Sequence, residues 1–430
     1  MTRSVEPSTV SGRVKAPASK SSMQRALACA AMATGTSIIA NPTWCADSIA
    51  ALRVVNALGA SSRQLDDSVS IDGGIFAANQ ASSGSGTPLI VSCGESGLCL
   101  RMFSAIASLS ESMVELRGEG SLRCRPVGPI AQPLAELGVR CTTDAGLQPV
   151  RVQGAMRSGI VTVDGSSSSQ FITGLLLALP MTGGDSVVHV RNLASRGYLD
   201  LTIDVMRAFG AVIERDADFS RFDVRGRPYT ATSYGVEGDW SGAAFLLVAG
   251  AIAAAHGGLA VSGLSPRSSQ PDRAIIKALD MAGARCEEHE DGYRVHAGPL
   301  RAFSFDASDC PDLFPPLVAL ASRCPGATTI RGAGRLRAKE SDRAAALSGE
   351  FGALGLGVDV DGDVMTVHGR ADPLAGGTVS SHGDHRIAMA VAVAALAGSG
   401  AVTIDGAECV AKSWPEFFEV IASIRSQPAV

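Results

Sequence analysis

Lysine is almost missing from this chain. Of 37 basic residues among 430, only Lys15, Lys20, Lys277, Lys339 and Lys412 are lysines, and the rest are arginines. A coding bias towards arginine is the plain explanation. A chain that otherwise writes positive charge as arginine can also keep lysine where a compact, titratable ammonium is needed. Cations are in deficit overall: the net charge of −5 lacks the basic footprint of a nucleic-acid binder. The ten cysteines form no CxxC pair and no regular framework, so Cys29 and Cys99, set in apolar runs, read as small core residues in a reducing compartment. The opening MTRSVEPSTV lacks the charged-then-apolar pattern of a signal peptide. The longest apolar run, roughly 243–255, is too short to span a bilayer and meets His256-Gly257-Gly258. A cytoplasmic protein without nucleic-acid or membrane partners is expected.

What is present is a repeat. Five helix-like segments end in a small-residue corner, with Gly59, Gly138, Gly210, Gly283 and Gly355 spaced 79, 72, 73 and 72 residues apart. Between them a polar or glycine-rich loop repeatedly opens a very apolar helix, at 20–25, 94–101, 168–171, 239–245, 310–314 and 384–390. Self-similarity at a fixed period sets the architecture before any residue is interpreted. Within a unit, LDLTIDVMRAFGA at 199–211 has helical apolar spacing, and VIERD and FDVRG alternate as half-buried strands do. AAFLLVAGAIAA, by contrast, is apolar all round and must be enclosed. The expected fold is therefore α/β, with six βαβαββ-type repeats in two domains, apolar helices inside and sheets outside. The sixth unit is cut short after SWPEFFEVIASI at 413–424, so the N-terminal SGRVKA at 11–16 is expected to supply its missing strand. The domains are then expected at 20–226 and at 1–19 plus 237–430, joined by a crossover at 227–236.

A helix opening in glycines, serines and cations offers unpaired N–H groups and a positive dipole end, which suits an anion. Lys20, Arg25, Arg101, Arg125, Lys339, Arg343, Arg386 and Lys412 lie in or beside these loops. Eight such cations in an acidic chain imply a local field that faces a small polyanion. Plainer readings stand beside this one: SSSS at 166–169 as caps, Asp312 as N-cap of LFPPLVALAS, and Glu340 with Arg343 as a surface i,i+3 pair. His382 and His385 have a metal-like spacing but no third ligand at a sensible distance in sequence.

KSSMQR at 20–25, GESG at 94–97, Arg125-Pro126, VDGSSSSQF at 163–171, CPD at 310–312, RAKESDR at 337–343, GDHR at 383–386 and AKSWPEF at 411–417 resemble the 5-enolpyruvylshikimate-3-phosphate synthase family. The match runs in the family's order over nearly the whole chain, and RAKESDR and DHRIAMA are its most specific parts. The resemblance implies a two-domain inside-out α/β barrel. It also implies transfer of the carboxyvinyl group of phosphoenolpyruvate to the 5-hydroxyl of shikimate 3-phosphate, by a monomer that uses no metal or organic cofactor. Closure of the two domains on the anions is a further expectation.

Position by position, the resemblance assigns shikimate 3-phosphate to Lys20, Ser21, Arg25, Ser168, Ser169, Gln170, Ser195, Tyr198, Asp312, Arg335 and Lys339. It assigns phosphoenolpyruvate to Lys20, Gly97, Arg125, Gln170, Arg343, Arg386 and Lys412. Asp312 is the implied base for the hydroxyl and Glu340 the implied proton donor to the methylene. Lys20, Lys412 and His385 complete the implied catalytic set, the histidine as a structural or proton-relay group.

Glu95, Met102, Gly197 and Arg335 depart from common family patterns, which bears on affinity for phosphoenolpyruvate and its mimics. The related UDP-N-acetylglucosamine enolpyruvyl transferases are the nearest rival. They carry a reactive Cys several residues before an Arg-Pro pair, whereas here Cys124 directly precedes Arg125-Pro126. A non-catalytic phosphate-binding scaffold is the other alternative, and the intact Lys20, Asp312, Glu340 and Lys412 oppose it.

Overall fold

The five small-residue corners all end their helices in one geometry. Each glycine has a φ between +83° and +114°, where a side chain would be strained. Each glycine N–H bonds to the carbonyl three residues back, and the next N–H to the carbonyl five residues behind it, as in Gly283 to Asp280 and Ala284 to Leu279. These are Schellman caps, which satisfy carbonyls that the helix leaves unpaired.

The protein is described by a computed structural model covering residues 1–75 and 87–426. Among them are twelve α-helices, numbered in chain order: α1 Lys20–Met32, α2 Ala46–Ala57, α3 Gly97–Ala107, α4 Ala131–Glu136, α5 Ser169–Ala178, α6 Gly197–Ala208, α7 Trp240–Ala253, α8 Ile275–Ala282, α9 Phe314–Ala321, α10 Arg343–Ala353, α11 His385–Leu396 and α12 Phe417–Ile424. The odd-numbered helices are the apolar ones. Every residue of α3, α9 and α11 is buried. The even-numbered helices bury one stripe, as α8 does with Ile275, Ala278, Leu279 and Ala282.

Two units result, Ala18–Val236 and Met1–Pro17 with Glu237–Val430, each with its own apolar core. In the first, α3 lies backbone to backbone on α5, because a Cβ at Gly174 would sit 2.7 Å from the Met102 carbonyl oxygen. In the second, α7, α9 and α11 pack on one another. Sheets surround these helices, which gives the inside-out α/β barrel.

There are five four-stranded sheets and one three-stranded sheet among the described residues. A typical one pairs Leu89–Ser92 in parallel with Val114–Arg117, which then pairs antiparallel with Leu147–Gln153, itself paired with Arg140–Asp144. The inner helix connects the two parallel strands, and the outer helix leads to the hairpin.

The N-terminus differs from expectation. Val10–Lys15, within the expected SGRVKA strand, pairs in parallel with Ala254–Ser262 of the fourth unit. The sixth sheet is completed by Thr2–Val5, antiparallel to Val402–Asp405. Three of those four residues are exposed, so the strand has no apolar alternation to announce it. Residues 227–236, expected as a plain crossover, carry a strand as well: Ser233–Gly235 pairs with Thr36–Ala40. No helix among the described residues is long and apolar enough to cross a membrane.

Candidate active site

In the unit Ala18–Val236, α1, α3 and α5 open on neutral caps. Ser19, Ser96 and Ser168 each accept an N–H of the first turn through Oγ, from Ser22, Cys99 and Gln170 respectively. A neutral cap satisfies one donor and leaves the positive end of the dipole in place. Lys20 stands at the opening of α1 and donates to Asp47 Oδ2 at 3.0 Å, with side-chain exposures of 13% and 7%. Gly97 is the first residue of α3, and a Cβ there would lie 3.0 Å from Nη1 of both Arg101 and Arg125. Two buried guanidiniums thus crowd one helix N-terminus, the positive site the loop composition suggests. Arg101 Nη1 also donates to Gln170 Oε1 at 2.9 Å and Nη2 to the Pro126 carbonyl at 3.0 Å.

Arg25 lies deeper. It donates through Nε to Thr202 Oγ1, Nη1 to the Ser21 carbonyl and Nη2 to the Tyr198 carbonyl, and among the described residues no carboxylate pairs with it. Burial pushes its pKa down to about 10, so it remains charged at neutral pH. Ser169 and Ser195 are buried, and Ser195 holds a left-handed φ of +59°. Strain of that kind persists where the surroundings enforce it.

The other unit is built differently. Asp312 accepts from Arg343 Nη1 at 3.0 Å and Lys339 Nζ at 3.5 Å on Oδ1, and from Arg386 Nη2 at 3.1 Å on Oδ2. Burial pushes the Asp312 carboxyl up, but Arg386, Lys339 and Arg343 outweigh it and hold it well below the usual carboxylate range. Burial lowers the Lys339 pKa, with Asp312 opposing. Arg343 is fully buried and also donates to Glu340 Oε2 at 2.9 Å and, through Nε, to Asp384 Oδ2 at 2.9 Å. Asp384 caps α11 by accepting from the Arg386 N–H. His385 follows it, buried, with Nδ1 3.8 Å from Asp384 Oδ1. Lys412 is buried at the end of the short turn Ala407–Lys412. Arg335 lies beside this region and donates weakly to the Ser308 carbonyl at 3.4 Å.

Several expectations change. The pair of Glu340 and Arg343 is present, but Arg343 is fully buried and Glu340 partly so, so it is no surface pair. The cap position of α9 is Leu313, without a side-chain cap, and Asp312 turns to its cations instead. Not all six openings suit an anion, because α7 and α11 are capped by the carboxylates of Asp239 and Asp384. His382 pairs with Glu350 at 2.6 Å, and no group of three or more potential metal ligands occurs among the described residues. Glu95 is exposed, and its carboxylate lies where a Cβ on Gly120 would be, 2.2 Å from Oε1. The roles of Asp47, Asp384 and Thr202 are not legible in the sequence, because each acts through a partner distant in the chain.

Comparison with known proteins identifies the family. Residues 5–421 match the family described as EPSP synthase (3-phosphoshikimate 1-carboxyvinyltransferase). The chain is 40% identical over 414 residues to the 3-phosphoshikimate 1-carboxyvinyltransferase of Methanoculleus marisnigri, covering 94% of this chain and 95% of that one. It is 38% identical to the enzyme of the same name from Methanocorpusculum labreanum, covering 96% of each. The solved EPSP synthase of Acinetobacter baumannii superposes with a TM-score of 0.80 at 27% identity, over 99% of this chain and all of that one. The enolpyruvyl transferase NikO of Streptomyces tendae, at 20% identity and a TM-score of 0.77, shares the fold. On the whole-chain match and these identities, the chain belongs to the EPSP synthase family.

Proposed function

We propose that this chain transfers the carboxyvinyl group of phosphoenolpyruvate to the 5-hydroxyl of shikimate 3-phosphate and releases phosphate. The observation that carries the reading is Asp312, a carboxylate held by three cations beside Glu340, within a family of this activity. The hydroxyl oxygen adds to C2 of phosphoenolpyruvate while C3 takes a proton. The tetrahedral adduct then loses a proton from C3 and expels phosphate, leaving the enol ether. Asp312 accepts the hydroxyl proton and Glu340 supplies the one that goes to C3.

A carboxylate with a depressed pKa is a poor base, and the same cations supply the remedy. A bound phosphate or carboxylate shares Arg343 and Arg386 with Asp312, which weakens their hold and makes Asp312 more basic. Chemistry then waits for the donor substrate. Lys20, Arg125 and Lys412, with the opening of α3 at Gly97, carry the remaining negative charge as it moves to the leaving phosphate. Ser168, Ser169, Gln170, Ser195, Tyr198, Ser21, Arg25, Arg335 and Lys339 hold shikimate 3-phosphate. His385 is a relay or structural group beside Asp384. The proposal includes a cytoplasmic location and action as a monomer.

The test is phosphate release from phosphoenolpyruvate with an acceptor panel. Release that requires shikimate 3-phosphate supports the reading. Release only with UDP-N-acetylglucosamine would reassign the acceptor, and release with neither would leave a binding scaffold.

A further inference from the structure

Arg25 is a fully buried guanidinium that donates to one hydroxyl and two carbonyls, all neutral, so its orientation rests on those bonds. The centre of that arrangement is a hydroxyl. Thr202 Oγ1 accepts from Arg25 Nε at 2.9 Å and donates to the Tyr198 carbonyl at 2.8 Å. Its single hydrogen is therefore committed, and the 3.1 Å contact with Thr173 Oγ1 runs from Thr173 to Thr202. Thr202 thus uses its one donor and two acceptor positions, and both threonines have 0% exposure. The three residues come from α1, α5 and α6, the helices whose first turns hold Ser21, Ser169 and Tyr198.

We propose that Thr202, supported by Thr173, is a positioning residue that orients Arg25 and sets the α1, α5 and α6 openings relative to one another for the phosphorylated acceptor. The inference rests on the proposed function for the identity of that acceptor. The hydroxyl touches no substrate and acts through Arg25. A buried guanidinium deprived of its Nε acceptor seeks another, and its unengaged N–H edge turns with it. A hydrophobic residue of the same shape would fill the space but not fix the charge.

The test is Thr202→Val, which keeps the branched shape within the helix, with Thr202→Ser as the conservative control. Thr202→Val is expected to raise KM for shikimate 3-phosphate about ten-fold, the scale of a hydrogen bond to a charged group. Its kcat and its KM for phosphoenolpyruvate should stay within a factor of about two. Thr202→Ser should restore the acceptor KM. Thr173→Val, which leaves the Arg25 bond in place, should give a smaller rise and serves if Thr202→Val does not fold. An unchanged acceptor KM in a folded valine variant would overturn the proposal, as would a loss that serine does not restore. A readout independent of activity is the Arg25 Nε–H signal in 15N NMR of the ligand-free protein. It should resist solvent exchange in the unaltered chain and lose that protection in Thr202→Val. Retained protection would overturn the proposal even if the activity assigned above proved wrong.

Discussion

Arg343 Nε donates to Asp384 Oδ2 at 2.9 Å, and neither side chain is exposed to solvent. Asp384 also accepts from the Arg386 N–H and from Ser341 Oγ, so one carboxylate caps α11 and anchors the arginine that reaches Asp312. Removing one partner of a buried pair leaves the other charge uncompensated. Asp384→Ala should lower stability by about 3 kcal/mol in urea unfolding, the cap contributing about 1 kcal/mol of it. Asp384→Asn, which can still cap, should lose less. Equal losses in the two variants would count against this division.

Asp312→Asn keeps the shape and removes the base. Turnover should fall by a factor of about a thousand, within the range for general acid–base groups, while phosphoenolpyruvate still binds. Arg343 keeps Asp384 and Glu340 in this variant, so the fold is retained. Calorimetric binding alongside phosphate release checks both halves. A variant that turns over normally would remove Asp312 from the chemistry.

The depressed pKa of Asp312 has a defined effect on stability. Its folded value lies below the unfolded value of about 3.9, so its contribution is complete above that pH and is lost as pH falls through the folded value. The stability difference between the unaltered protein and Asp312→Asn should therefore stay constant from pH 7 to about 4 and narrow only below it. Urea titrations at several pH values measure it. A difference that grows as pH falls from 7 to 5, the mark of a raised carboxyl, or one that does not narrow below pH 4, would show that the three cations do not hold the carboxyl down.

Gly97→Ala places a methyl 3.0 Å from two guanidinium nitrogens, so Arg101 or Arg125 must yield by a few tenths of an ångström. KM for phosphoenolpyruvate should rise several-fold, and affinity for shikimate 3-phosphate alone should hold. A change confined to the acceptor would place the donor elsewhere.

The sequence discloses what is local. Glycine corners announce Schellman caps because only a left-handed residue closes them cheaply, and all-apolar runs announce enclosed helices. Loop cations and Asp312 stand in motifs short enough to read. Asp47, Asp384 and Thr202 are silent because their partners, Lys20, Arg343 and Arg25, lie 27, 41 and 177 residues away. The serine caps of one unit and the aspartate caps of the other look alike as helix starts but differ by a full charge at the site. Thr2–Val5 was hidden for another reason: with three exposed residues it has no pattern, and only pairing with Val402–Asp405 makes it a strand.

The central claim is that a carboxyvinyl group moves by addition and elimination. Incubation with phosphoenolpyruvate and shikimate 3-phosphate in D2O, followed by proton and phosphorus NMR, tests it most directly. The account predicts inorganic phosphate in step with a new enol ether on the acceptor, with deuterium in its methylene from protonation at C3. Phosphate release with the acceptor unchanged, or an acceptor that has gained a phosphoryl group instead, would contradict it.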